Sequence, residues 1–359
     1  KAEGLAKITL NSREASDLEM IATGAMSPLN GFMSADDYNG VCDNMHLANG
    51  VAWPLPVVLS PKDGESAAAG DEVALVGEDG SVYGVMTVSD SYQPDKVAEL
   101  TKCYQGDAEH PAADYLNSIG DTYVGGSIEI ANIPTYAKHN EFRLTPAMTR
   151  AAFAENGWGK VVAFQTRNPI HRAHEYLTKV AIEQVDGLLI HPLVGDTKAD
   201  DIPSDVRMAC YHALMAKYYP LDRTMLAVYP QAMRYGGPRE AILHAVCRQN
   251  YGCTHIIIGR DHAGVGSYYG TFDAQDIFKQ FAEGEILIET LLFEHAFYCK
   301  LTGGMASTKS SPAGPEDKIF LSGTKVRDML AEGIRPPAEF TRPEVADILI
   351  ESYATPTNA

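Results

Sequence analysis

The sequence predicts a mixed β and α/β fold, in which a small barrel-like β domain precedes a doubly wound parallel α/β domain and a small α-rich C-terminal part. In the first third of the chain, short β-prone segments lie between turn signals and strong helical periodicity is scarce. From about residue 161, short apolar segments alternate with helix-like segments, which is typical of a parallel sheet covered by helices on both faces. A length of 359 residues suits two or three such domains.

The N-terminal β domain, expected over residues 1–140, is indicated most clearly by a hairpin signal. Two β-prone segments, 72–76 and 81–88, flank the turn residues Glu78-Asp79-Gly80. Because few helices are indicated, we expect this part to be mainly β. Further short strands and a single helix are expected at 53–59, at 127–130 and before Gly24.

The central α/β domain is expected over residues 141–295. Because ligands bind such sheets at the carboxyl ends of the strands, the residues that follow each strand are candidate site residues. Ser204 is a good N-cap residue for one of the helices. The predicted strands lie at 161–164, 188–190, 224–228 and 255–258, and the predicted helices begin at Pro169, Ser204 and Pro238.

The C-terminal part, expected over residues 296–359, contains two helix-like segments near 324–332 and 343–353. A glycine pair, Gly303-Gly304, and a polar loop over 308–315 precede them. We therefore expect a small helical appendage on the α/β domain.

The charge distribution favours a small anionic ligand over a nucleic acid. A formal net charge of −18 disfavours binding to a phosphate backbone, which attracts clustered Lys and Arg. Between Arg223 and Arg260, however, the chain carries five Arg, a single acidic residue (Glu240) and no Lys. This pattern indicates either a focused anion site or five ordinary surface arginines, and composition alone does not separate the two.

The six cysteines are scattered, and no two form a Cys-x-x-Cys pair. In a chain of this length, such cysteines are typical of reduced thiols in the cytosol, so we expect neither disulfides nor a thiolate zinc cluster. No apolar run reaches the length of a membrane span, and the first ten residues lack a signal-peptide layout. We therefore expect a cytoplasmic protein without a membrane partner.

The first chemical motif is Gln165-Thr166-Arg167-Asn168-Pro169-Ile170-His171-Arg172-Ala173-His174-Glu175. After the first central strand, Asn168 is expected to cap a helix that begins at Pro169. His171 and His174 then share one face near a helix N-terminus, which is a ready site for anions. A metal pair and buried core histidines are the competing interpretations, and the phosphate site is favoured over both.

The second motif is Ile256-Ile257-Ile258-Gly259-Arg260-Asp261-His262-Ala263-Gly264. A strand ends in a glycine, which lets a ligand approach the backbone closely. Arg260 can bind phosphate or sulfate oxygens with its planar fork, and Asp261 can orient a histidine or a sugar hydroxyl. The alternative is a tight surface turn with an incidental ion pair.

A third motif, Ser322-Gly323-Thr324-Lys325-Val326-Arg327, suits either a site for terminal phosphates or simple N-capping with an exposed Arg. We leave both interpretations open. The sequence contains neither a Gly-x-x-x-x-Gly-Lys-Ser/Thr phosphate loop nor a Gly-x-Gly-x-x-Gly dinucleotide fingerprint. These absences disfavour a phosphate-loop kinase and a Rossmann dehydrogenase.

Together, the first two motifs resemble the ATP sulfurylase (sulfate adenylyltransferase) family, within the wider His-x-x-His nucleotidyltransferases. The resemblance covers nearly the whole chain. It extends to the segments 24–33, 192–198 and 233–240. It implies a PUA-like N-terminal β-barrel, a Rossmann-like catalytic domain and a small C-terminal domain.

The same resemblance implies roles for individual residues. Sulfate would be bound by Gln165, Arg167 and Ala263. ATP would be bound by Gln165, Thr166, Arg167, Asn168, Gly259, Arg260, Asp261, His262 and, at the adenine, Ala296. The catalytic residues would be Thr166, Arg167, Asn168, His171 and His174.

The implied ligands are ATP, sulfate, adenosine phosphosulfate and pyrophosphate, with Mg²⁺ entering on the nucleotide. Some relatives have a C-terminal zinc site, but Thr302 stands here where its second Cys would be, so we expect no bound zinc. Longer relatives have a kinase-like domain with a phosphate loop, and we expect no such kinase activity here. Relatives are commonly dimers or larger, so a homodimer or larger homo-oligomer is expected.

The implied reaction is attack of a sulfate oxygen on the α-phosphorus of ATP, in either physiological direction. Sulfate is fully ionised at neutral pH, so a site rich in Arg, His, Asn and Gln needs no general base. Three other functions compete: a related nucleotidyltransferase with an alcohol or phosphate acceptor, a non-enzymatic RNA-binding protein and a zinc hydrolase.

Overall fold

The computed structural model describes residues 1–198, 201–320 and 323–354. Its N-terminal part is a five-stranded sheet with four helices. The strand order is β1-β3-β4-β5-β2, and all pairs are antiparallel except β1 with β3. The elements are β1 (Ala6–Thr9), α1 (Ser12–Ala22), β2 (Gly31–Phe32), α2 (Ala35–Asn44), β3 (Glu72–Val76), β4 (Val82–Tyr92), α3 (Lys96–Tyr104), α4 (Pro111–Ser118) and β5 (Tyr123–Ile130).

The predicted hairpin is confirmed, because β3 and β4 pair on either side of the expected turn. The expectation of a single helix is wrong. Only α1 was foreseen, and its own apolar stripe is interrupted by the buried acids Glu14, Asp17 and Glu19. The other three helices have only eight to ten residues, too few to show a clear helical period.

The predicted strand at 53–59 is also wrong. This segment is buried and extended, and the Val57 carbonyl accepts a hydrogen bond from the Met33 N–H at 3.0 Å, but it forms none of the sheet strands. Pro54 and Pro56 explain the difference, because each removes an N–H that a strand would need.

The central part is a five-stranded parallel sheet with the order β10-β9-β6-β7-β8. All four predicted strands are confirmed. A fifth strand, β10, was missed because it is a half-exposed edge strand. The elements are α5 (Pro146–Glu155), β6 (Val161–Thr166), α6 (Arg172–Ile182), β7 (Gly187–Pro192), α7 (Ser204–Tyr218), β8 (Thr224–Leu226), α8 (Gly237–Asn250), β9 (His255–Ile258), α9 (Asp273–Asp276) and β10 (Glu289–Leu292).

This strand order creates a switch point between β6 and β9. From β6 the chain builds outward through β7 and β8, and then returns to place β9 on the other side of β6. The loops that follow β6 and β9 therefore diverge and leave a crevice at the carboxyl ends of these strands, where ligands bind in sheets of this kind.

The start of α6 and the N-caps of α6 and α7 differ from the prediction, whereas α7 begins at Ser204 as predicted. Helix α6 begins at Arg172 with His171 at the N-cap, and not at Pro169 with Asn168 as the cap. Instead, the Asn168 N–H donates to the Thr166 hydroxyl at 3.0 Å, which holds this residue in a turn before the helix. For α7, Pro203 occupies the N-cap and Ser204 is the first helical residue.

The C-terminal part contains both predicted helices, α10 (Gly323–Ala331) and α11 (Pro343–Ala354). Val345 and Leu349 of α11 join Tyr211 and Leu214 of α7 in one buried cluster, so this part shares a core with the central sheet. A small antiparallel sheet of order β12-β11-β13 was not predicted, because its strands have only two or three residues. They are β11 (Phe297–Cys299), β12 (Gly304–Ala306) and β13 (Lys318–Ile319).

The arginine-rich segment joins the N-terminal and central parts. Arg234 and Asp17 form an ion pair of 2.6 Å in which both side chains are 2% exposed. Arg239 donates to the carbonyl of Val41 at 2.8 Å. The interpretation of all five arginines as surface residues is therefore wrong for these two and for Arg248, which is fully buried.

No helix within the described ranges is both long and apolar enough to cross a bilayer.

Candidate active site

A cavity of about 410 Å³ occupies the crevice between the ends of β6 and β9. A larger groove of about 750 Å³ lies beside the start of α1, away from these strand ends. We take the smaller one as the site, because it unites every site residue predicted from the sequence. These are Gln165, Thr166, Arg167, Asn168, His171, His174, Gly259, Arg260, Asp261, His262, Ala263 and Ala296.

The two histidines of the first motif stand at the start of α6. His171 is the N-cap residue and His174 follows in the first turn, with ring centroids 6.4 Å apart and planes inclined by 27°. Burial lowers the pKa of His171 to about 3, and the neighbouring His174 adds to this; burial also lowers the pKa of His174. Both rings are therefore neutral at pH 7, so each can donate one N–H.

The turn between β6 and α6 is held rigidly. The Thr166 hydroxyl accepts from the Asn168 N–H and donates to the Asn168 carbonyl at 2.8 Å. The same carbonyl accepts from the Tyr211 hydroxyl of α7 at 2.8 Å. The Asn168 side chain is left exposed at the cavity, so the backbone is fixed while the amide remains available.

Arg167 reaches from the end of β6 to the loop after β9. Its Nη2 lies 3.4 Å from the Gly264 carbonyl, its Nε lies 3.5 Å from an Asp201 carboxylate oxygen, and its guanidinium lies over the Tyr235 ring at 5.3 Å. The side chain is 19% exposed. One cation thus contacts both loops that enclose the cavity.

The loop after β9 adopts a strained backbone. Asp261 and Ala263 have φ values of 50° and 58°, in the left-handed region that non-glycine residues adopt at a cost of about 1–3 kcal/mol. The Ala263 carbonyl turns towards α8 and accepts from the Gly237 N–H at 3.1 Å. The Ala263 N–H has no acceptor among the described residues, which makes it available to an anion.

Two charged side chains of this loop face outward. Arg260 and Asp261 are both exposed at the rim of the cavity. No carboxylate in the described part of the chain forms an ion pair with Arg260, so its guanidinium is free to bind a ligand. Burial raises the pKa of Asp261, and Arg260 and Arg167 oppose this effect.

Behind the loop, His262 joins a histidine of α8 that the motif analysis missed. His262 Nε2 lies 3.0 Å from His244 Nδ1, and His244 Nε2 lies 3.6 Å from Glu240. Burial lowers the pKa of His262 to about 3, and the nearby Arg248 and Arg167 add to this. One of these two facing ring nitrogens carries a proton and donates it, and the other accepts.

Arg248, the second residue missed, lies on α8 and reaches the site through Gln165 without lining the cavity itself. Its Nη2 donates to the Gln165 side-chain oxygen and to the His191 carbonyl, the latter at 3.2 Å. Its guanidinium stacks on the Tyr229 ring at 3.5 Å. Arg248 follows His244 by one helical turn, at the end of the otherwise apolar segment 241–247, and this spacing was the sequence signal that could have identified the pair.

The adenine candidate Ala296 is buried in the wall of the cavity, next to Glu294 and His295. The third motif is described only in part, because Ser322 lies outside the described residues. Of its residues 325–327, none lines the cavity. No group of three or more His, Cys, Asp or Glu within the described ranges is placed to hold a metal ion.

Comparison with known proteins assigns both parts of the chain to families. Residues 140–352 match the family model described as ATP-sulfurylase, and residues 1–133 match the model described as PUA-like domain. The second match, with the observed parallel sheet and C-terminal helices, confirms the predicted fold class.

Curated relatives are similar over nearly the whole chain. A "Sulfate adenylyltransferase" of Symbiobacterium thermophilum is 52% identical, with 98% of this chain and 90% of the relative covered. A "Probable bifunctional SAT/APS kinase 2" of Sorangium cellulosum is 53% identical, but the chain spans only 61% of it. A solved structure titled "Hexameric APS kinase from Thiobacillus denitrificans" aligns with a TM-score of 0.77 and 25% identity, covering 98% of this chain and 63% of that one.

Proposed function

The chain belongs to the ATP-sulfurylase family, and we propose that it transfers the adenylyl group of ATP to sulfate, forming adenosine 5'-phosphosulfate and pyrophosphate, or runs the reverse reaction. The observation that carries this proposal is the convergence of the two loops after β6 and β9 on one cavity. The first loop brings two neutral histidines and Arg167, and the second brings Arg260 and a free backbone N–H.

The sulfate subsite is assigned to Gln165, Arg167 and the backbone N–H of Ala263. All three offer donors to an anion, and Arg167 adds a positive charge that is only partly offset by Asp201. No carboxylate is required as a base, because the nucleophile is already fully ionised. This assignment explains why the Ala263 backbone is turned into the left-handed region.

The ATP subsite is assigned to residues 165–168 and 259–262, with Ala296 beside the adenine. Arg260 lies exposed at the rim, where it can bind phosphate oxygens with its planar fork. The half-buried His262 is oriented through His244, so its ring is fixed before the ligand arrives. Residues from two loops would thus clamp one nucleotide, which supplies the positioning that a reaction between two anions requires.

The proposed chemistry is an in-line displacement. A sulfate oxygen forms a bond to the α-phosphorus while the bond from that phosphorus to the bridging pyrophosphate oxygen breaks, and the electron pair leaves with pyrophosphate. Negative charge grows on the phosphoryl oxygens as this happens. Neutral His171 and His174 donate N–H hydrogen bonds to these oxygens. Donors that the fold holds in place stabilise such growing charge strongly, because they need not reorient during the reaction.

We propose that Mg²⁺ enters bound to the nucleotide. Of the carboxylates that line the cavity, Asp261 lies exposed at its rim, and such an oxygen ligand fits a hard cation that keeps most of its water and phosphate ligands. When bound, the ion would neutralise part of the phosphate charge. The protein residues themselves would bind and orient the two anions.

The test is release of pyrophosphate from ATP, measured with and without sulfate, beside formation of ATP from adenosine phosphosulfate and pyrophosphate. Sulfate-dependent release supports the proposal. Release that requires an alcohol or phosphate acceptor instead would assign the chain to another nucleotidyltransferase activity. Absence of both reactions in folded protein would contradict the proposal.

The remaining expectations form part of the same proposal. We place domain boundaries after residues 140 and 295. We also propose that the chain forms a homo-oligomer, which light scattering would test.

All six cysteines are free and buried, which suits a reducing compartment such as the cytoplasm. ATP, sulfate and their products are the proposed partners, and filter binding at varied salt would test the proposed lack of nucleic-acid binding.

A further inference from the structure

Arg248 determines which way the Gln165 amide faces. The Nη2 of Arg248 donates to the side-chain oxygen of Gln165. A guanidinium has donors and no acceptor, so the atom that faces it must be the amide oxygen and not the NH₂ group. The NH₂ of Gln165 is therefore held on the opposite side of the amide plane, away from Arg248.

Arg248 itself is locked in place. It is fully buried, it also donates to the His191 carbonyl, and it stacks on the Tyr229 ring. Among the described residues no carboxylate forms an ion pair with it, so its charge is not cancelled by a neighbouring acid. A buried cation whose one side-chain hydrogen-bond partner, Gln165, lines the ligand cavity needs a functional reason, because an unpaired buried charge is costly.

The orientation of Gln165 decides which hydrogen-bonding groups the sulfate subsite presents. Its three members would be the Gln165 NH₂, the Arg167 guanidinium and the Ala263 N–H, and all three are hydrogen-bond donors. The carboxylates of the cavity are engaged or exposed elsewhere. Asp261 lies at the exposed rim, and Glu294 accepts from Thr308 and lies 3.8 Å from Lys309.

Sulfate and phosphate differ in whether they carry an O–H group, and such a subsite would distinguish them by this group. At neutral pH sulfate carries no proton, whereas inorganic phosphate always carries at least one O–H, which requires an acceptor. An amide turned the other way would provide that acceptor. A site that leaves one polar group of the wrong ligand unpaired rejects it strongly.

We propose that Arg248 is a positioning residue that leaves the sulfate subsite with hydrogen-bond donors alone, and that the subsite thereby selects fully deprotonated tetrahedral dianions over hydrogen phosphate. This inference rests on the proposed function, because it assumes that the oxyanion lies against Gln165. It assigns Arg248 no contact with the substrate.

The test uses Arg248→Met, which removes the donors but keeps an apolar side chain over Tyr229. Dissociation constants for sulfate and for phosphate are measured by calorimetry in the presence of a non-hydrolysable ATP analogue, and steady-state KM values are measured for sulfate and ATP. We expect the preference for sulfate over phosphate to fall roughly ten- to hundredfold, with the KM for ATP changed less than about threefold. An unchanged preference in folded variant protein would overturn the proposal.

Two further variants complete the test. Arg223→Met, at an exposed arginine of the same part, is the matched control and should leave the preference unchanged. Gln165→Glu keeps the side-chain shape, pairs one oxygen with Arg248 and turns the other oxygen to the subsite as an acceptor. This variant should weaken the binding of sulfate more than the binding of phosphate. If Arg248→Met does not fold, this variant decides whether the subsite selects by its hydrogen-bond donors.

The binding measurement also separates this inference from the proposed function. Wild-type protein that binds sulfate but releases no pyrophosphate would contradict the proposed reaction, whereas the ratio of the two dissociation constants would still decide the role of Arg248. Wild-type protein that binds phosphate as tightly as sulfate would overturn the inference even if the reaction is observed.

Discussion

Arg342 forms a two-bond ion pair with Glu175, with its Nε 2.9 Å and its Nη2 2.8 Å from the two carboxylate oxygens. Glu175 is a buried residue of the first turn of α6, next to His174, and Arg342 immediately precedes α11. Lys179 contacts the same carboxylate at 2.6 Å. The C-terminal part therefore anchors the helix that carries both candidate catalytic histidines.

Replacing Arg342 should lower the stability of the whole chain. We expect Arg342→Met to reduce the free energy of unfolding by about 1–3 kcal/mol, because the buried carboxylate loses two charged hydrogen bonds while Lys179 remains. Urea unfolding measures this loss. Arg335→Met, which breaks an exposed pair with Asp347, is the matched control and should cost about 0–1 kcal/mol. Equal losses in the two variants would refute the assignment.

The contribution of Glu175 should depend on pH. Its hydrogen bonds to Arg342 and Lys179 outweigh burial and hold the pKa of Glu175 below its ordinary value of 4.5. A lowered pKa in the folded state means that the stabilisation is complete above pH 4.5 and disappears as the pH falls through the folded-state pKa. The difference in urea midpoint between wild type and Glu175→Gln should thus be constant from pH 8 to 6 and shrink below 4.5. A difference that grows on acidification would contradict this.

Removal of either histidine at the start of α6 should affect catalysis more than binding. We expect His171→Ala and His174→Ala to lower kcat by about 10²–10³, the usual effect of losing one transition-state donor. The KM for ATP should change much less, and circular dichroism should show retained structure. Near-normal turnover in both variants would remove these residues from the mechanism.

The acidity of His171 gives a separate prediction for the pH profile. Because burial lowers the pKa of His171 to about 3, this residue stays neutral in the free enzyme throughout the neutral range. The kcat/KM for ATP reports on the free enzyme, so it should show no inflection from this residue between pH 6 and 8. An inflection near 6.5 that vanishes in His171→Asn would show that the protonated ring is the working form.

Gly195 should tolerate no side chain. A Cβ at this position would lie 2.3 Å from the backbone oxygen of Gln231, in a contact between two backbone segments that cannot relax as a side chain can. We expect Gly195→Ala to cost about 1–3 kcal/mol in stability. Gly159→Ala is the control, since its Cβ would meet only Asp186, at 3.6 Å. Unfolding midpoints of the two variants settle the comparison.

The parts of the site that the sequence revealed are those in which a strand, a turn and a ligand-binding group follow one another directly. Gln165 to His174 and Gly259 to Ala263 are of this kind, and all predicted members line one cavity. Glu240, His244 and Arg248 were not identified as site residues because they lie inside a helix, and tertiary packing is what makes His244 line the cavity and Arg248 donate to Gln165.

The fold shows the same division. Buried parallel strands such as β6 and β9 are continuous apolar runs, so they were found with nearly correct ends. The small β11-β12-β13 sheet has strands too short for any periodicity, and helices α2, α3 and α4 are too short to show a clear helical period. Local pattern fails at such places, because long-range contacts decide the structure there.

The pairing of Asp17 with Arg234 has a consequence for the order in which the molecule assembles. These residues are 217 positions apart in the sequence. During synthesis, Asp17 is therefore made long before Arg234, the residue that pairs with it in the folded protein. Contacts so distant in sequence form late and slow the folding of a chain. Arg234 also leads into α8, which carries His244 and Arg248. We therefore expect the floor of the active site to be among the last regions to become native, and activity to be regained after most secondary structure during refolding.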